Sequence, residues 1–257
     1  MKGSSSSSCC PIPKPLARQS SYVPRCIVTT DHSAAGWRYP NLAKSESDGV
    51  FCYYLQRRLS CHVTRLCNSV GMHPNGATAM DLLFAVAAAV TLYFHYFFAS
   101  ALLIQLFGLF SCVDGELARL SGKTSLLGDY YDTMVDRVAE FLIVGSLFLV
   151  LRESSSIDLA DGLMFAYVGA VFLITNSSEK FRSTFQRNYP KRKVERLFTW
   201  ICAGSDVRLC YISIGILLIP ITGSSTILFW ILLSLTLSLY LNFLFRVWKV
   251  RRLEAQP

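Results

Sequence analysis

Apolar residues gather into six long runs that follow one another between residues 77 and 246. A helix needs about 20 mainly apolar residues to cross the hydrocarbon core of a bilayer. The pattern therefore predicts six transmembrane helices, near residues 77–95, 96–118, 130–151, 162–180, 207–221 and 225–246. The fifth run is short, and Pro220 lies at its end.

Residues 48–71 precede the first run and have the pattern of an amphipathic helix. Apolar side chains recur there at three- and four-residue spacing, at Phe51, Leu55, Leu59, Val63 and Leu66. The polar side is available to Arg57, Arg58 and Arg65. Such a helix lies in the headgroup region of a membrane, although the pattern also fits an ordinary helix packed on protein. The predicted fold is an all-α integral membrane protein with six transmembrane helices preceded by an amphipathic interfacial helix.

The first 47 residues lack the apolar content of a folded domain. They contain the Ser4–Ser8 run, several prolines and few large apolar side chains, which predicts a disordered N-terminal tail. Residues 1–30 contain Lys and Arg but neither Asp nor Glu, so an organelle transit peptide is an equally good interpretation. A cleaved secretory signal is not expected, because no apolar run follows the start. The predicted division is therefore a tail or transit peptide at 1–47, a membrane domain at 48–250 and a short basic tail at 251–257.

The composition agrees with a membrane protein. Hydrophobic residues make up 52% of the chain and charged residues 16%, whereas a soluble domain carries about 25% charged residues. The net charge of +8 is spread between the apolar runs, which favours an anionic lipid bilayer as a partner and argues against nucleic acid. The nine cysteines include no CxxC pair, so neither a zinc site nor a disulfide framework is predicted.

The distribution of basic residues predicts the orientation. They lie before the first run, after the second and at the C-terminal end, and the connection after the fourth run holds Lys180, Arg182, Arg187, Lys191, Arg192, Lys193 and Arg196. The connections after the first, third and fifth runs carry little positive charge. The positive-inside rule therefore predicts a multi-pass protein with both termini in the cytosol. The pattern leaves open whether the membrane is that of the endoplasmic reticulum or of another organelle.

One stretch is too polar for its surroundings, since carboxylates entering a membrane helix are costly and usually functional. Asp132 and Asp136 are four residues apart and share one helix face, and Asp129 falls near the same stripe. Like charges at this spacing repel one another, whereas a bound divalent cation would turn the repulsion into attraction. Asp114, on the preceding helix, would complete a set of hard oxygen ligands suited to Mg²⁺ or Mn²⁺.

Residues beside these carboxylates suit a phosphate-containing ligand. Gly115 and Gly128 would allow a helix or a nucleotide to approach the backbone closely. Arg119 offers a planar fork of donors for phosphate oxygens. Metal ligands and an arginine at the membrane surface fit a pyrophosphate that has one lipid-soluble end.

The motif D-G-x2-A-R-x8-G-x3-D-x3-D resembles the signature of the CDP-alcohol phosphatidyltransferase family. Its seven positions are filled by Asp114, Gly115, Ala118, Arg119, Gly128, Asp132 and Asp136. Seven fixed positions match by chance on the order of once in 10⁸ starting points. The run His73–Thr78 resembles the family's P-N-x-x-T entry into its first membrane helix, and Ser205–Leu209 more weakly resembles an R-D-x-R-L run of some members. The resemblance covers roughly residues 50–250.

The resemblance implies an enzyme of phospholipid synthesis. It would move a phosphatidyl group from a CDP-linked lipid donor to a polar hydroxyl acceptor, with release of CMP. Six crossings favour CDP-diacylglycerol as donor, with an inositol, inositol phosphate, glycerol phosphate or serine type of acceptor. A homodimer is compatible with this interpretation.

The resemblance also assigns roles to residues. Asp136 would be the general base, and Mg²⁺ or Mn²⁺ would be bound by Asp114, Asp132 and Asp136. The nucleotide pocket would be formed by Asn75, Thr78, Gly115, Ala118, Arg119 and Gly128. The acceptor or a lipid headgroup would contact Lys180, Arg182 and Arg208.

The chain departs from the family pattern at one position. The family has an Asp three residues before the D-G pair, where this chain has Ser111. The resemblance implies that this Asp is a metal ligand, so Asp81 and Asp129 are candidates for a compensating carboxylate. The departure keeps open an alternative function, a catalytically weakened relative that binds CDP-lipid or acts as a scaffold. A small transporter is a weaker alternative, because the motif lies at one membrane face instead of the midplane.

Overall fold

The computed structural model describes residues 48–154, 157–186 and 188–254, and these contain helices but no strand. A π-helical turn at Cys52–Gln56 leads into the first α-helix. The α-helices, in chain order, are α1 Arg57–Ser69, α2 Pro74–Tyr93, α3 Phe97–Leu120, α4 Leu126–Ser154, α5 Ile157–Phe185, α6 Lys191–Val194, α7 Phe198–Ile201, α8 Ser205–Thr222 and α9 Thr226–Glu254. The predicted tail at 1–47 lies outside the described residues. The all-α architecture is confirmed.

Five helices in the described ranges are long and apolar enough to cross a membrane, in α2, α3, α5, α8 and α9. They correspond to the predicted runs one, two, four, five and six. Helix α4 corresponds to the third run and has 29 residues, but its first half carries several charged side chains. The sixth crossing therefore remains a prediction.

Local sequence explains where the helix that opens the bundle begins. Pro74 occupies the first turn of α2, where its missing N–H is not needed. The Nδ1 atom of His73 accepts a hydrogen bond from the Asn75 backbone N–H at 3.3 Å. This capped start fixes the position of Asn75 and Thr78 on the first turns of α2.

Helices α2, α3 and α4 pack together, and α8 joins them through α3. Helix α5 packs mainly on α9, and α9 packs on α8. A continuous core of buried apolar side chains runs through these contacts, and includes Leu92, Ile104, Ile143, Leu147 and Ile212. The arrangement brings one end of α2, α3 and α4 together, and that end carries the acidic motif.

Helix α1, with the turn before it, exposes its apolar stripe and buries part of its polar side. Leu55, Leu59 and Leu66 of the predicted apolar stripe are exposed, whereas Ser60 and Thr64 are buried. The apolar stripe therefore points away from the helix bundle, as a helix resting among acyl chains requires. The sequence pattern identified the stripe but could not show whether it meets lipid or protein.

The three arginines that the sequence made available for the polar side, Arg57, Arg58 and Arg65, lie in different surroundings. Arg58 and Arg65 are exposed, but Arg57 is only 5% exposed. Its guanidinium binds Glu116 of α3 at 2.7 Å and Asp48 at 3.1 Å. A buried arginine needs paired carboxylates of this kind, because an isolated buried charge is strongly unfavourable.

Glu116 is the centre of the contact between α1 and α3. It is fully buried and accepts hydrogen bonds from Arg57 Nη1 at 2.7 Å, Ser60 Oγ at 2.5 Å and Thr64 Oγ1 at 2.7 Å. Three donors from α1 therefore converge on one carboxylate of α3. This network anchors the interfacial helix directly beside the acidic motif.

Replacing Glu116 by alanine should destabilise the protein by about 3–5 kcal/mol, because Arg57 would lose one of its two carboxylate partners, and Ser60 and Thr64 would lose their shared acceptor, in a buried site. Thermal unfolding of the purified protein in detergent measures this effect. Glu153→Ala is the matched control, since the Glu153–His95 ion pair is exposed and such pairs contribute about 0–1 kcal/mol. Equal unfolding temperatures for the two variants would contradict the anchoring role of Glu116.

A second buried ion pair holds the connection after α5 against α9. Arg246 is 1% exposed and binds Glu195 Oε1 through Nε at 2.6 Å. Its Nη1 also donates to the hydroxyls of Ser177 and Ser178 at 2.7 and 2.6 Å. The connection that carries Lys191 is therefore held against the two long helices α5 and α9.

Candidate active site

Four carboxylates from three helices share one region of the structure. Asp81 belongs to α2, Asp114 to α3, and Asp132 and Asp136 to α4. Asp81 lies close enough to the other three for direct electrostatic interaction, and Asp114 and Asp136 both interact with Asp132. The three acidic motif residues that the sequence assigned to metal binding are therefore brought together by the fold.

Asp114 is held in place by the start of α2 and by its own helix. It is almost fully buried, and its Oδ2 accepts a hydrogen bond from Thr78 Oγ1 at 2.9 Å. The Gly115 backbone N–H donates to Oδ1 at 2.5 Å. Thr78 and the D-G pair, predicted separately from two motifs, thus form one contact.

Ser111, at the position where the family pattern has Asp, contacts Asp136. Its hydroxyl donates to Asp136 Oδ1 at 3.3 Å. The contact joins α3 to α4 and leaves the second carboxylate oxygen of Asp136 outside this hydrogen bond. A serine here therefore orients Asp136 while adding no charge.

Asp81 is fully buried, and neither of its carboxylate oxygens has a hydrogen-bond partner among the described residues. The backbone of Ser111 lies against it, but not in the geometry of an ordinary hydrogen bond. Buried polar groups are nearly always hydrogen-bonded. The Asp81 carboxylate is therefore an exception that requires an explanation.

A cavity of about 210 Å³ opens beside Asp114 and Asp132. All six residues that the sequence assigned to the nucleotide pocket line it, namely Asn75, Thr78, Gly115, Ala118, Arg119 and Gly128. We call this space the motif cavity. It is the one place in the described structure where these six residues meet.

Arg119 gives the motif cavity a positive side chain with spare hydrogen-bonding capacity. Its Nη2 is buried without a partner among the described residues, and its Nη1 lies 3.1 Å from the point where a Cβ at Gly115 would be. A larger residue at position 115 would therefore press on the guanidinium. The glycine of the D-G pair keeps room for Arg119.

A second cavity, of about 190 Å³, lies on the other side of Ser111 and Cys112. Asp136, Arg137 and Lys191 line this space, which we call the basic cavity. Ser111 borders both cavities, whereas Asp136 borders only the basic cavity, and Asp114 and Asp132 border only the motif cavity. The acidic cluster is thus divided between two neighbouring spaces.

Arg57 also lines the basic cavity but is already paired with Glu116 and Asp48, whereas the other two cations, Arg137 and Lys191, differ from it and from each other in their surroundings. Arg137 binds Glu140 at 2.8 Å, but its buried Nε has no partner in the described structure. Burial, and then repulsion from Arg246, lowers the pKa of Lys191. An anionic ligand in this cavity would offset both effects, because it would offer an acceptor to Arg137 and a counter-charge to Lys191.

The three basic residues predicted to contact an acceptor or headgroup lie elsewhere. Lys180 is exposed, and Arg182 forms an ion pair with Asp129, which is itself largely exposed. Arg208 is 3% exposed and donates to Glu140 Oε1 at 2.6 Å. None of the three lines the basic cavity.

Sequence reasoning did not assign Arg137 and Lys191, which do line the basic cavity. Arg137 directly follows a motif carboxylate, which is the signal that could have identified it. Lys191 was counted among seven basic residues with nothing to distinguish it. The run Ser205–Leu209 proves to hold the fold together in part, since Asp206 accepts a hydrogen bond from the Cys52 backbone N–H at 2.7 Å.

The donor set suits a hard divalent cation. Asp81, Asp114, Asp132 and Asp136 supply carboxylate oxygens, the ligands that Mg²⁺ and Mn²⁺ prefer, and the two oxygens of Asp81 lack partners. Within the described ranges, no three Asp, Glu, His or Cys side chains already stand in a closed metal-binding arrangement. The residues therefore fit a divalent metal in the kind of donor atom that they supply.

Comparison with known families agrees with the motif. A family model described as CDP-alcohol phosphatidyltransferase matches residues 71–248. The chain is 29% identical over 166 residues to a bifunctional IPC transferase and DIPP synthase of Archaeoglobus fulgidus, covering 60% of this chain and 32% of that protein. It is 33% identical over 110 residues to a phosphatidylinositol phosphate synthase of Streptomyces avermitilis, covering 39% and 45%. The chain thus spans a third to a half of the length of these curated relatives.

Solved structures share the fold. The phosphatidylinositol phosphate synthase of Mycobacterium tuberculosis with CDP-DAG bound superposes with a TM-score of 0.57 at 18% identity, covering 74% of this chain and 94% of that one. The same protein in complex with manganese and citrate gives a TM-score of 0.55 at 18% identity, covering 74% and 88%. At this level of identity the likeness concerns the fold alone.

Proposed function

Because a family model matches more than half of it, the chain belongs to the CDP-alcohol phosphatidyltransferase family, and we propose that it transfers a phosphatidyl group from CDP-diacylglycerol to an inositol-type hydroxyl acceptor. CMP is the second product. The observation that carries the proposal is the division of the acidic motif between two cavities that meet at Ser111. The motif cavity has the character of a nucleotide site, and the basic cavity contains the proposed general base, Asp136, and the cations Arg137 and Lys191.

The motif cavity is the proposed donor site. Arg119 directs an unpartnered N–H group toward phosphate oxygens, a contact of about 1.5–3 kcal/mol when the acceptor is charged. Asn75 and the backbone at Gly115 and Gly128 shape the space for the cytidine and pyrophosphate. The relative from Mycobacterium tuberculosis, solved with CDP-DAG bound, supports this class of donor.

Asp114, Asp132 and Asp136 are the proposed ligands of Mg²⁺ or Mn²⁺. Such a cation, when bound, neutralises the negative charge that grows on the pyrophosphate as CMP leaves. The residues themselves are arranged before the substrate arrives, because Thr78 and the Gly115 N–H hold Asp114 and Ser111 holds Asp136.

The basic cavity is the proposed acceptor site. Asp136 borders it and would take the proton of the attacking hydroxyl as general base. Arg137 and Lys191 would hold a phosphate or several hydroxyls of the acceptor. The names of the curated relatives, which include a phosphatidylinositol phosphate synthase, favour an inositol-type acceptor over glycerol phosphate or serine.

The proposed placement in the membrane follows from the charge pattern. With six crossings, including α4, both termini and the motif end of α2, α3 and α4 lie on the cytosolic side. Water-soluble acceptor and CMP then exchange with the cytosol, while the diacylglycerol part of the donor stays in the bilayer. The exposed leucines of α1 mark the level of the lipid surface.

Purified protein supplied with CDP-diacylglycerol and an inositol-type acceptor should release CMP only when Mg²⁺ or Mn²⁺ is present. Chelation by EDTA should remove the activity and excess Mn²⁺ should restore it. Inositol, inositol phosphate, glycerol phosphate and serine are tested separately, with CMP measured by chromatography. If none of them gives more CMP than the Asp136→Asn variant, the enzymatic function must be abandoned.

The alternative function has one observation in its favour, the serine at position 111. A catalytically weakened relative would bind CDP-lipid without releasing CMP. Retention of CDP-diacylglycerol by the purified protein, measured together with an absence of CMP release for every acceptor, would favour this binding or scaffold role.

A further inference from the structure

The Asp81 carboxylate is buried in an apolar helix at a high energetic cost. Taking an ionised carboxylate out of water costs several kcal/mol unless it is paired. Protonation alone would leave the group without a partner, since the hydroxyl of a protonated carboxyl is a donor and neither oxygen forms a hydrogen bond within the described structure. A partner that the polypeptide itself does not provide would satisfy the group.

The surroundings of Asp81 indicate the charge of that partner. Its strongest electrostatic neighbours are Asp136, Asp114 and Asp132, all of the same sign. Asp81 also follows Thr78 by three residues, so the two share one face of α2, and Thr78 binds Asp114 directly. The side chain therefore joins the acidic motif from the facing helix, and a bound cation would make this arrangement favourable.

Ser111 lies at the same place. Its backbone is against the Asp81 carboxylate, and its hydroxyl is used in the hydrogen bond to Asp136. The position that carries a carboxylate in the family pattern thus carries a short neutral side chain here, and an extra carboxylate from α2 lies beside it. The charge missing from α3 is present on α2.

We propose that Asp81 replaces the motif carboxylate absent at Ser111 and acts as a fourth acidic ligand of the divalent-metal centre, together with Asp114, Asp132 and Asp136. This inference rests on the proposed function. Ser111 is then a positioning residue for Asp136, and its hydroxyl is free for that task because Asp81 supplies the charge.

Asp129 is the competing source of a compensating carboxylate, and the structure disfavours it. Its side chain is about half exposed and forms an ion pair with Arg182. It has a counter-charge, whereas Asp81 has none. Asp129→Asn should therefore leave metal affinity unchanged, while Asp81→Asn should lower it.

The test measures Mn²⁺ binding to the purified full-length protein by calorimetry and by the electron paramagnetic resonance signal of bound Mn²⁺. Asp81→Asn should weaken Mn²⁺ affinity by at least tenfold. The double variant Asp81→Asn/Ser111→Asp, which returns a carboxylate to α3, should recover affinity to within about threefold of the starting protein. Asp161→Asn, which removes an exposed carboxylate paired with Arg152, is the matched control and should change nothing.

The outcomes separate this inference from the proposed function. If the unaltered protein binds no Mn²⁺, both the metal centre and the role of Asp81 are excluded. If it binds Mn²⁺ and Asp81→Asn binds equally well, or if Asp129→Asn is the variant that loses affinity, the role of Asp81 alone is excluded. One further result would overturn the inference that Asp81 replaces the missing motif carboxylate. It is a double variant Asp81→Asn/Ser111→Asp that elutes as a folded species but does not recover Mn²⁺ binding.

Melting temperatures without metal provide a further check that does not depend on activity. Removing one of four mutually repelling carboxylates should leave the metal-free protein equally stable or more stable. Added Mn²⁺ should raise the melting temperature of the unaltered protein and of the double variant more than that of Asp81→Asn. A purely structural role for Asp81 predicts the opposite, a lower melting temperature in the absence of metal.

Discussion

Replacing Asp136 by asparagine should lower kcat for CMP release by about a hundred- to ten-thousand-fold, the range associated with a positioned general base. Asparagine keeps the size of the side chain and can still accept the hydrogen bond that Ser111 donates at 3.3 Å. It cannot take a proton from an acceptor hydroxyl. The loss should appear in kcat much more than in KM for the CDP-donor, because Asp136 borders the basic cavity and not the motif cavity.

Two variants make this result specific. Glu179→Gln removes an exposed carboxylate of α5 and should retain full activity. Ser111→Ala removes the hydrogen bond to Asp136 and should cost about fivefold in kcat, in line with about 1 kcal/mol for such a bond. An Asp136→Asn protein that keeps more than a tenth of the original kcat would show that another group accepts the proton.

Most of the membrane architecture was predictable from sequence, because apolar runs of sufficient length have few alternatives. The run predicted at 207–221 is the helix Ser205–Thr222, and the run at 225–246 forms most of α9, Thr226–Glu254. Helix α4 was harder to delimit, since its first turns carry the acidic motif instead of apolar residues. Its start at Leu126 is four residues before the predicted one.

The orientation of α1 shows where periodicity fails. A stripe of leucines defines an apolar face, but lipid and protein core are equally apolar surroundings. The deciding fact is Glu116, 59 residues along the chain from Arg57, whose buried charge draws the polar face of α1 inward. Pairings over such distances leave no trace in the local pattern.

Only part of the site was predictable, because contacts between distant parts of the chain leave no local pattern. A fixed motif specified Asp114, Arg119 and Asp132, and the structure gathers them because the motif spans two neighbouring helices. The basic residues belong to no motif. The connection after α5 holds several of them, so the sequence alone did not distinguish the one that lines the basic cavity. Arg208 is drawn to Glu140 in the interior, whereas Lys191 borders the basic cavity because the Glu195–Arg246 pair fixes its connection.

Replacing Asp114 by asparagine should reduce kcat/KM for the CDP-donor by about a hundred- to a thousand-fold, corresponding to several kcal/mol of lost charge stabilisation. Asp114 differs from Asp136 in that it borders the motif cavity, so this variant should also raise KM for the donor. Since both residues are proposed metal ligands, weaker Mn²⁺ binding is expected of either variant. The amide oxygen could still accept the hydrogen bond from the Gly115 N–H, and the amide NH2 group could donate to Thr78 Oγ1 in place of the other bond, which limits any structural disturbance.

Thr78→Val separates the charge of Asp114 from its position. It removes the 2.9 Å hydrogen bond to Asp114 but leaves the carboxylate, and should cost about tenfold, which corresponds to the lower end of the range for one hydrogen bond to a charged group. Kinetics over a range of Mn²⁺ concentrations distinguish the two variants, because excess metal should partly rescue Thr78→Val and rescue Asp114→Asn far less. Equal rescue of both would mean that Asp114 only supports the fold. If Asp114 instead faces both the donor and the metal, Asp114→Asn should lose more kcat/KM than Thr78→Val and should weaken the binding of both ligands. Thr78 and the Gly115 backbone hold the carboxylate in that position.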